Sequence, residues 1–163
     1  MLRISKLADY ATVVMSYMAR QPLDTYSAAR ISERLGIGQP TVSKILKLLA
    51  HGNLLSAQRG VNGGYTLARS PGKISIAEII DSMEGIPVGL TECSSQPGVC
   101  TQESDCAIRG NWQRISHIVR RSLEGVTLAD MSLPQVDARP VQLFRRDKKG
   151  LPLPVGGGAG EMV

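Results

Sequence analysis

Residues 27–52 read SAARISERLGIGQPTVSKILKLLAHG, and this run decides the fold because it spells two helices joined by a tight turn. Ser27 is a helix-capping residue type, Ile31 and Leu35 fall on one inner face, and Gly36 is the stop. After the brief Ile37-Gly38-Gln39 connection, Pro40 stands where the first helical residue tolerates a missing N–H. The helix from there to about Ala50 turns Val42, Ile45, Leu46 and Leu49 inward and presents Thr41, Ser43, Lys44 and Lys47 elsewhere; Gly52 closes it.

Upstream, residues 2–20 form an amphipathic helix with Leu7, Tyr10, Ala11, Val14 and Met18 in one stripe, ended by Pro22. Downstream, the period becomes strand-like. Leu54 to Arg59 and Tyr65 to Arg69 flank Gly60-Val61-Asn62-Gly63-Gly64, whose glycines are expected to supply the positive φ angles of a hairpin loop. Ser75 and Glu78 then form a Ser-x-x-Glu capping box opening a helix with Ile76, Ile79, Ile80 and Met83 on one face, ended by Gly85 and Pro87. Residues 86–105 lack periodicity. The helix over roughly 106–124 carries Ile108, Trp112, Ile115, Val119 and Leu123, a near-heptad seam able to pair with a second helix.

This order predicts a mainly α fold: a winged helix-turn-helix with a β-hairpin wing, plus a long C-terminal dimerisation helix. It divides into residues 1–85 as the winged DNA-binding part, 86–106 as a cysteine-containing loop and 107–133 as the dimerisation helix with a short terminal helix. Residues 134–163, Pro/Gly-rich, are expected to be a disordered tail.

Charge supports the division. The chain of 163 residues carries net charge +5, but residues 1–70 hold nine Lys/Arg against three Asp/Glu, and residues 71–133 hold five against eight. A basic front half suits a polyanion, although a solvated basic face would look the same. The composition, 42% hydrophobic and 20% charged, is that of a globular chain, and no apolar run is long enough to span a membrane. Arg3, Lys6 and Asp9 interrupt what would be the apolar part of an export signal, so a cytoplasmic location is expected.

In a helix-turn-helix the second helix enters the major groove. Gln39, Thr41, Ser43 and Lys44 at its start are polar groups able to reach phosphates and base edges, and Lys47 suits the backbone. Arg59, at the hairpin base, is a charged fork suited to a groove or phosphate. The alternative for all six is ordinary solvated surface. An enzyme is disfavoured: neither histidine neighbours a cysteine in a nucleophile arrangement, and no phosphate-cradling glycine loop opens a helix.

Cys93, Cys100 and Cys106 follow a Cys-x6-Cys-x5-Cys spacing in a glycine-containing loop. The missing Cys-x2-Cys pairs argue against structural zinc, whereas widely spaced thiolates suit an iron–sulfur cluster; three incidental thiols remain the alternative. Three cysteines leave a fourth ligand to be found elsewhere.

These features together resemble the IscR-type family of winged-helix transcription regulators, which sense iron–sulfur clusters, nitric oxide or iron supply. The residues carrying the likeness are Ser5-Lys6 with Asp9-Tyr10-Ala11, Ile31-Ser32-Glu33-Arg34 with Gly36-Ile37, Arg59-Gly60 with Gly63-Gly64-Tyr65, the three cysteines, and Trp112. The likeness spans about residues 2–133 and, within the family, is greatest to regulators of the Suf iron–sulfur assembly operon. It implies a homodimer on double-stranded promoter DNA and a [2Fe–2S] or [4Fe–4S] cluster on Cys93, Cys100 and Cys106. It also implies DNA contacts from Gln39 to Lys44 and Arg59. Some members place a histidine ligand three residues after the last cysteine; here that position is Arg109, whose guanidinium has no lone pair for iron. Others use a carboxylate from the partner subunit's first helix, a position matched by Asp9. Its simpler role is that of a solvent-facing or ion-paired residue. Rival readings are a winged-helix regulator sensing nitric oxide or thiol redox state without a stable cluster, and a zinc-stabilised protein-interaction module.

Overall fold

The computed structural model describes residues 4–60, 63–133, 145–146 and 152–153. The chain up to Leu133 is one compact unit and Pro134–Val163 a second. In order, the first unit contains α1 (Lys6–Met18), α2 (Ala28–Leu35), α3 (Gln39–His51), β1 (Leu55–Gln58), β2 (Gly64–Leu67) and a 3-10 turn (Pro71–Lys73). These are followed by α4 (Ile76–Glu84), α5 (Glu92–Ser95), α6 (Arg109–Glu124) and α7 (Leu128–Ser132). In the second unit, β3 (Arg145–Arg146) pairs antiparallel with β4 (Pro152–Leu153). The expected tail otherwise lies outside the described residues.

The winged helix-turn-helix is present, with shifted boundaries. Ser5 starts α1 by accepting the Ala8 N–H at 3.1 Å, and Ser27 starts α2 by accepting the Arg30 N–H at 3.2 Å. α1 is not a one-stripe helix. Ala8 and Met15 are fully buried beside Ala11, Val14 and Met18, while Leu7 and Tyr10 are only half-buried. The cause is that α1 is packed on by α3, α4 and α7 together, so it buries more than one amphipathic face. Gln39 belongs to α3 rather than to the connection; Pro40 is still within the first turn, where no N–H is needed.

β1 pairs antiparallel with β2, with Leu55 opposite Leu67 and Gln58 opposite Gly64. Only part of the expectation for the loop glycines holds. Gly60 takes φ +119°, but Gly64 is needed for space: a Cβ there would stand 2.7 Å from the Tyr26 carbonyl oxygen. That closeness follows from Tyr26 and Tyr65, which exchange two backbone hydrogen bonds of 2.9 Å and fasten the wing to the segment before α2.

The core gathers Met15, Met18, Ile31, Ile45, Leu46, Leu49, Ile79 and Leu128, all without exposed surface. Leu128 lies beyond α6, so the chain returns from the long helix into the core of the head. It is held there by Ile76 N–H to Val126 O (3.0 Å) and Leu128 N–H to Ile74 O (2.8 Å).

Both α4 and α7 open with reciprocal capping boxes, Ser75/Glu78 as expected and Thr127/Asp130 in addition. Burial pushes the Glu78 carboxyl up, but the Ser75 backbone N–H and hydroxyl and the Arg69 guanidinium outweigh it and hold the group below its usual range. Asp130 is held down by the Thr127 hydroxyl and backbone N–H. A folded-state value below the unfolded one stabilises the fold above the unfolded carboxylate range and loses that stabilisation as pH falls through the folded values. Acid titration is therefore expected to lower stability below pH about 4. Glu78→Gln with Asp130→Asn should flatten this dependence in denaturant melts taken at successive pH values.

Candidate DNA-reading face and cysteine segment

The turn between α2 and α3 is pinned from inside. The Ser32 hydroxyl donates to the Ile37 carbonyl at 2.7 Å, and Ile37 itself is buried. This sets the angle at which α3 leaves the core. Four apolar residues of α3 face inward, which leaves Gln39, Lys44 and Lys47 exposed and Thr41 and Ser43 half-buried. Among the described residues no side chain caps the start of α3, so its first turn keeps backbone N–H donors and the positive end of the helix dipole for an outside anion. Arg59 is exposed just past β1. Among the described residues, Lys44, Lys47 and Arg59 form no ion pair, whereas Arg30 and Arg69 are held by Asp24 and Glu78.

The cysteine segment is more ordered than its composition suggested, since Glu92–Ser95 forms α5. All three cysteines are free thiols. Cys93 is buried, with its Sγ 3.3 Å from the Thr91 hydroxyl; Cys100 and Cys106 are half-buried. Soft sulfur donors on one stretch match an iron–sulfur centre in kind. In place they are not yet a set: among the described residues, no three His, Cys, Asp or Glu side chains are grouped to hold a metal ion. Position 109 carries Arg109, which pairs with the buried Glu103 at 2.6 Å.

Asp9 is exposed on α1 and lines a cavity of about 1080 Å³. Ile86 to Leu90, Ser95, Val119 and Leu123 of the same chain also line it. The seam of α6 therefore divides. Val119 and Leu123 face this cavity, while Ile108, Trp112 and Ile115 are exposed, together with Ile118. Trp112 keeps 38% of its surface in solvent and Ile115 44%, so this half of the helix has an apolar face that the described chain does not cover. His117 is exposed on the same helix.

Three contacts that sequence reading missed tie the cysteine segment to α4 and α6, and α6 to α4. Asp81 of α4 accepts the Val88 N–H at 2.8 Å and two N–H groups of Arg120, at 2.9 and 3.4 Å. The Asp81 hydrogen bond and charge, opposed by burial, raise the Arg120 value, with Glu124 adding to the rise. The buried Ser116 hydroxyl accepts the Leu90 N–H at 3.1 Å. Arg120 lies 39 positions from Asp81 and Leu90 lies 26 from Ser116, so these two pairs have no local signature; Val88 is seven positions from Asp81, in a stretch without periodicity.

The described residues contain no helix long and apolar enough to cross a membrane. A family model described as Rrf2, iron-dependent transcriptional regulator, matches residues 4–133. An HTH-type transcriptional regulator of Azotobacter vinelandii is 32% identical over 158 residues, covering 96% of this chain and 95% of that one. The HTH-type transcriptional regulator IscR of Klebsiella pneumoniae is 28% identical over 131 residues, covering 80% of this chain and 79% of that one. Among solved structures, CymR of B. subtilis, the global cysteine regulator, aligns with TM-score 0.63 at 27% identity, covering 81% of this chain and 97% of that one. IscR of T. potens aligns with TM-score 0.58 at 27% identity, covering 80% and 85%. The pinned recognition helix, the fastened wing and the match over residues 4–133 agree: the chain belongs to the Rrf2 family, as a DNA-binding transcriptional regulator and not an enzyme.

Proposed function

We propose that the chain is a homodimeric, cytoplasmic regulator whose promoter affinity is set by an iron–sulfur centre on Cys93, Cys100 and Cys106, with Suf-type cluster-assembly genes among its targets. The observation carrying this reading is the position of the thiols: they stand on a stretch hydrogen-bonded at one end to both α4, through Asp81, and α6, through Ser116. A change in the order of residues 86–106 therefore acts on the helix that leaves the reading head. In the same proposal the division expected from sequence is kept: residues 1–85 read DNA, 86–106 sense, 107–133 join two copies through the exposed face of α6, and 134–163 are a tail.

When bound, an iron–sulfur centre supplies iron–thiolate bonds that hold the three sulfurs together. The chain's own groups do the rest. The Thr91 hydroxyl can donate to the Cys93 sulfur once the thiol has lost its proton, and Leu90 and Val88 carry the movement of the stretch to Ser116 and Asp81. Asp9 of the partner subunit is the candidate fourth ligand. Gln39, Thr41, Ser43 and Lys44 contact bases and phosphates, and Lys47 and Arg59 contact the backbone and groove.

The test compares metal-free and anaerobically reconstituted protein on the same operator. Different affinities support the reading. Equal affinities overturn it; a difference that follows thiol oxidation in iron-free protein would favour redox sensing. Arg59→Ala and Lys47→Ala are each expected to weaken operator binding in both forms and lower the salt slope by about one. Titrations at several salt concentrations check this, with the visible spectrum unchanged.

A further inference from the structure

Each of the last two cysteines opens a small turn that ends on a charged residue. Glu103 N–H donates to the Cys100 carbonyl at 3.1 Å, and Arg109 N–H donates to the Cys106 carbonyl at 3.2 Å. The two charged residues that close the turns are bonded to each other, Arg109 to Glu103 Oε1 at 2.6 Å. The other carboxylate oxygen accepts the Gly98 N–H, also at 2.6 Å. One carboxylate thus joins the chain before Cys100 to the first turn of α6, across both cysteine turns. Glu103 is only 9% exposed, while the Arg109 side chain keeps 42% of its surface in solvent, so the contact is charge-assisted and joins a buried carboxylate to a partly solvated guanidinium. Arg109 also leaves its Nε buried without a partner among the described residues, a donor that a thiolate drawn in beside it would satisfy.

We propose that Glu103 and Arg109 are positioning residues for the metal site: an ion-pair clasp that holds the Cys100 and Cys106 turns together and anchors them to α6. This rests on the proposed reading of the cysteines as ligands. It gives Arg109 a role that needs no lone pair, steering the thiols while being unable to bind iron itself. The clasp is made by protein groups alone and needs no metal to form, so it ties the turns of two of the three sulfurs to one scaffold, and the closure that remains is that of Cys93 toward them.

The first measurement needs no metal. Alkylation rates of the individual cysteines are followed by mass spectrometry in the full-length, metal-free protein. The pH is kept above the ordinary thiol value of about 8.5, so that rates report access rather than ionisation. Glu103→Gln and Arg109→Gln are expected to speed labelling of Cys100 and Cys106 by roughly three- to tenfold, with Cys93 unchanged. Arg109→Lys, which keeps the charge, should fall nearer wild type. Unchanged rates, or an equal rise at all three cysteines, would overturn the clasp. The second measurement is the rate at which a chelator strips iron from anaerobically reconstituted protein. Loss should be faster in both glutamine variants and intermediate in Arg109→Lys, and identical loss rates would remove the positioning role. If wild type takes up no iron, the ligand reading fails, while the labelling ratios still decide whether the clasp exists.

Discussion

Cys106→Ala, reconstituted without oxygen, is expected to retain iron and sulfide only at background while melting within about 2–4 °C of wild type. The two halves of this expectation have separate causes. Cys106 is half-buried and outside the hydrophobic core, so trimming its sulfur removes little packing. The same change leaves two thiols where the sequence offers three, and none of the residues beside it is an equivalent soft donor: Arg109 has no lone pair, and Glu103 is already engaged by Gly98 and Arg109. Cys93→Ala should lose iron equally but also lose some stability, because its sulfur is buried and bonded to Thr91. Iron and sulfide determination beside a thermal melt makes the distinction. On the operator, Cys106→Ala should behave as metal-free wild type does under all conditions. Wild-type iron loading in Cys106→Ala would end the ligand reading. An unchanged spectrum in Asp9→Ala would remove only that carboxylate.

How far the sequence could be read depended on whether the determining contact was local. Ser27, Ser75 with Glu78, and Gly36 are signals whose partners lie within one helical turn, and each does in the structure what its spacing announces. The inward face of α3 was legible for the same reason: one core covers it, so burial follows a single period. Where two surfaces compete for one element, the pattern misleads. The α6 seam looks continuous in sequence, yet Val119 and Leu123 line a cavity shared with the head while Trp112 and Ile115 stay outside. The order of the cysteine segment was illegible because it comes from Glu103 reaching both ways along the loop and from the tethers at Val88 and Leu90. Asp81 to Arg120 spans 39 positions and Leu90 to Ser116 spans 26, separations that no local period records.

Leu128→Ala is expected to cost about 2–5 kcal/mol of folding stability, the largest loss from any single truncation beyond α6. Its side chain has no exposed surface and packs in the same core as Met15, Met18 and Ile79, although it belongs to the segment that sequence patterning assigns to the dimerisation arm. α7 is a five-residue helix, far below the length at which helices persist alone, so its order is borrowed from the head through Leu128, the Thr127/Asp130 box and the Ser75–Thr127 bridge. Its removal therefore loosens two things at once: the core itself, and the point at which α6 is returned to α1 and α4. Denaturant melts should show a lower midpoint with an unchanged slope, since the folded and unfolded surfaces stay nearly the same. Leu133→Ala, at a residue 67% exposed, is the control and should stay within about 0.5 kcal/mol of wild type. Equal costs for the two would mean that the end of the arm is not part of the head's core. A large cost at Leu128 alone would mean that α6 is clamped to the head at both Asp81 and Leu128, the stiff connection without which the proposed coupling of the cysteine stretch to the reading head would be absorbed by a free hinge.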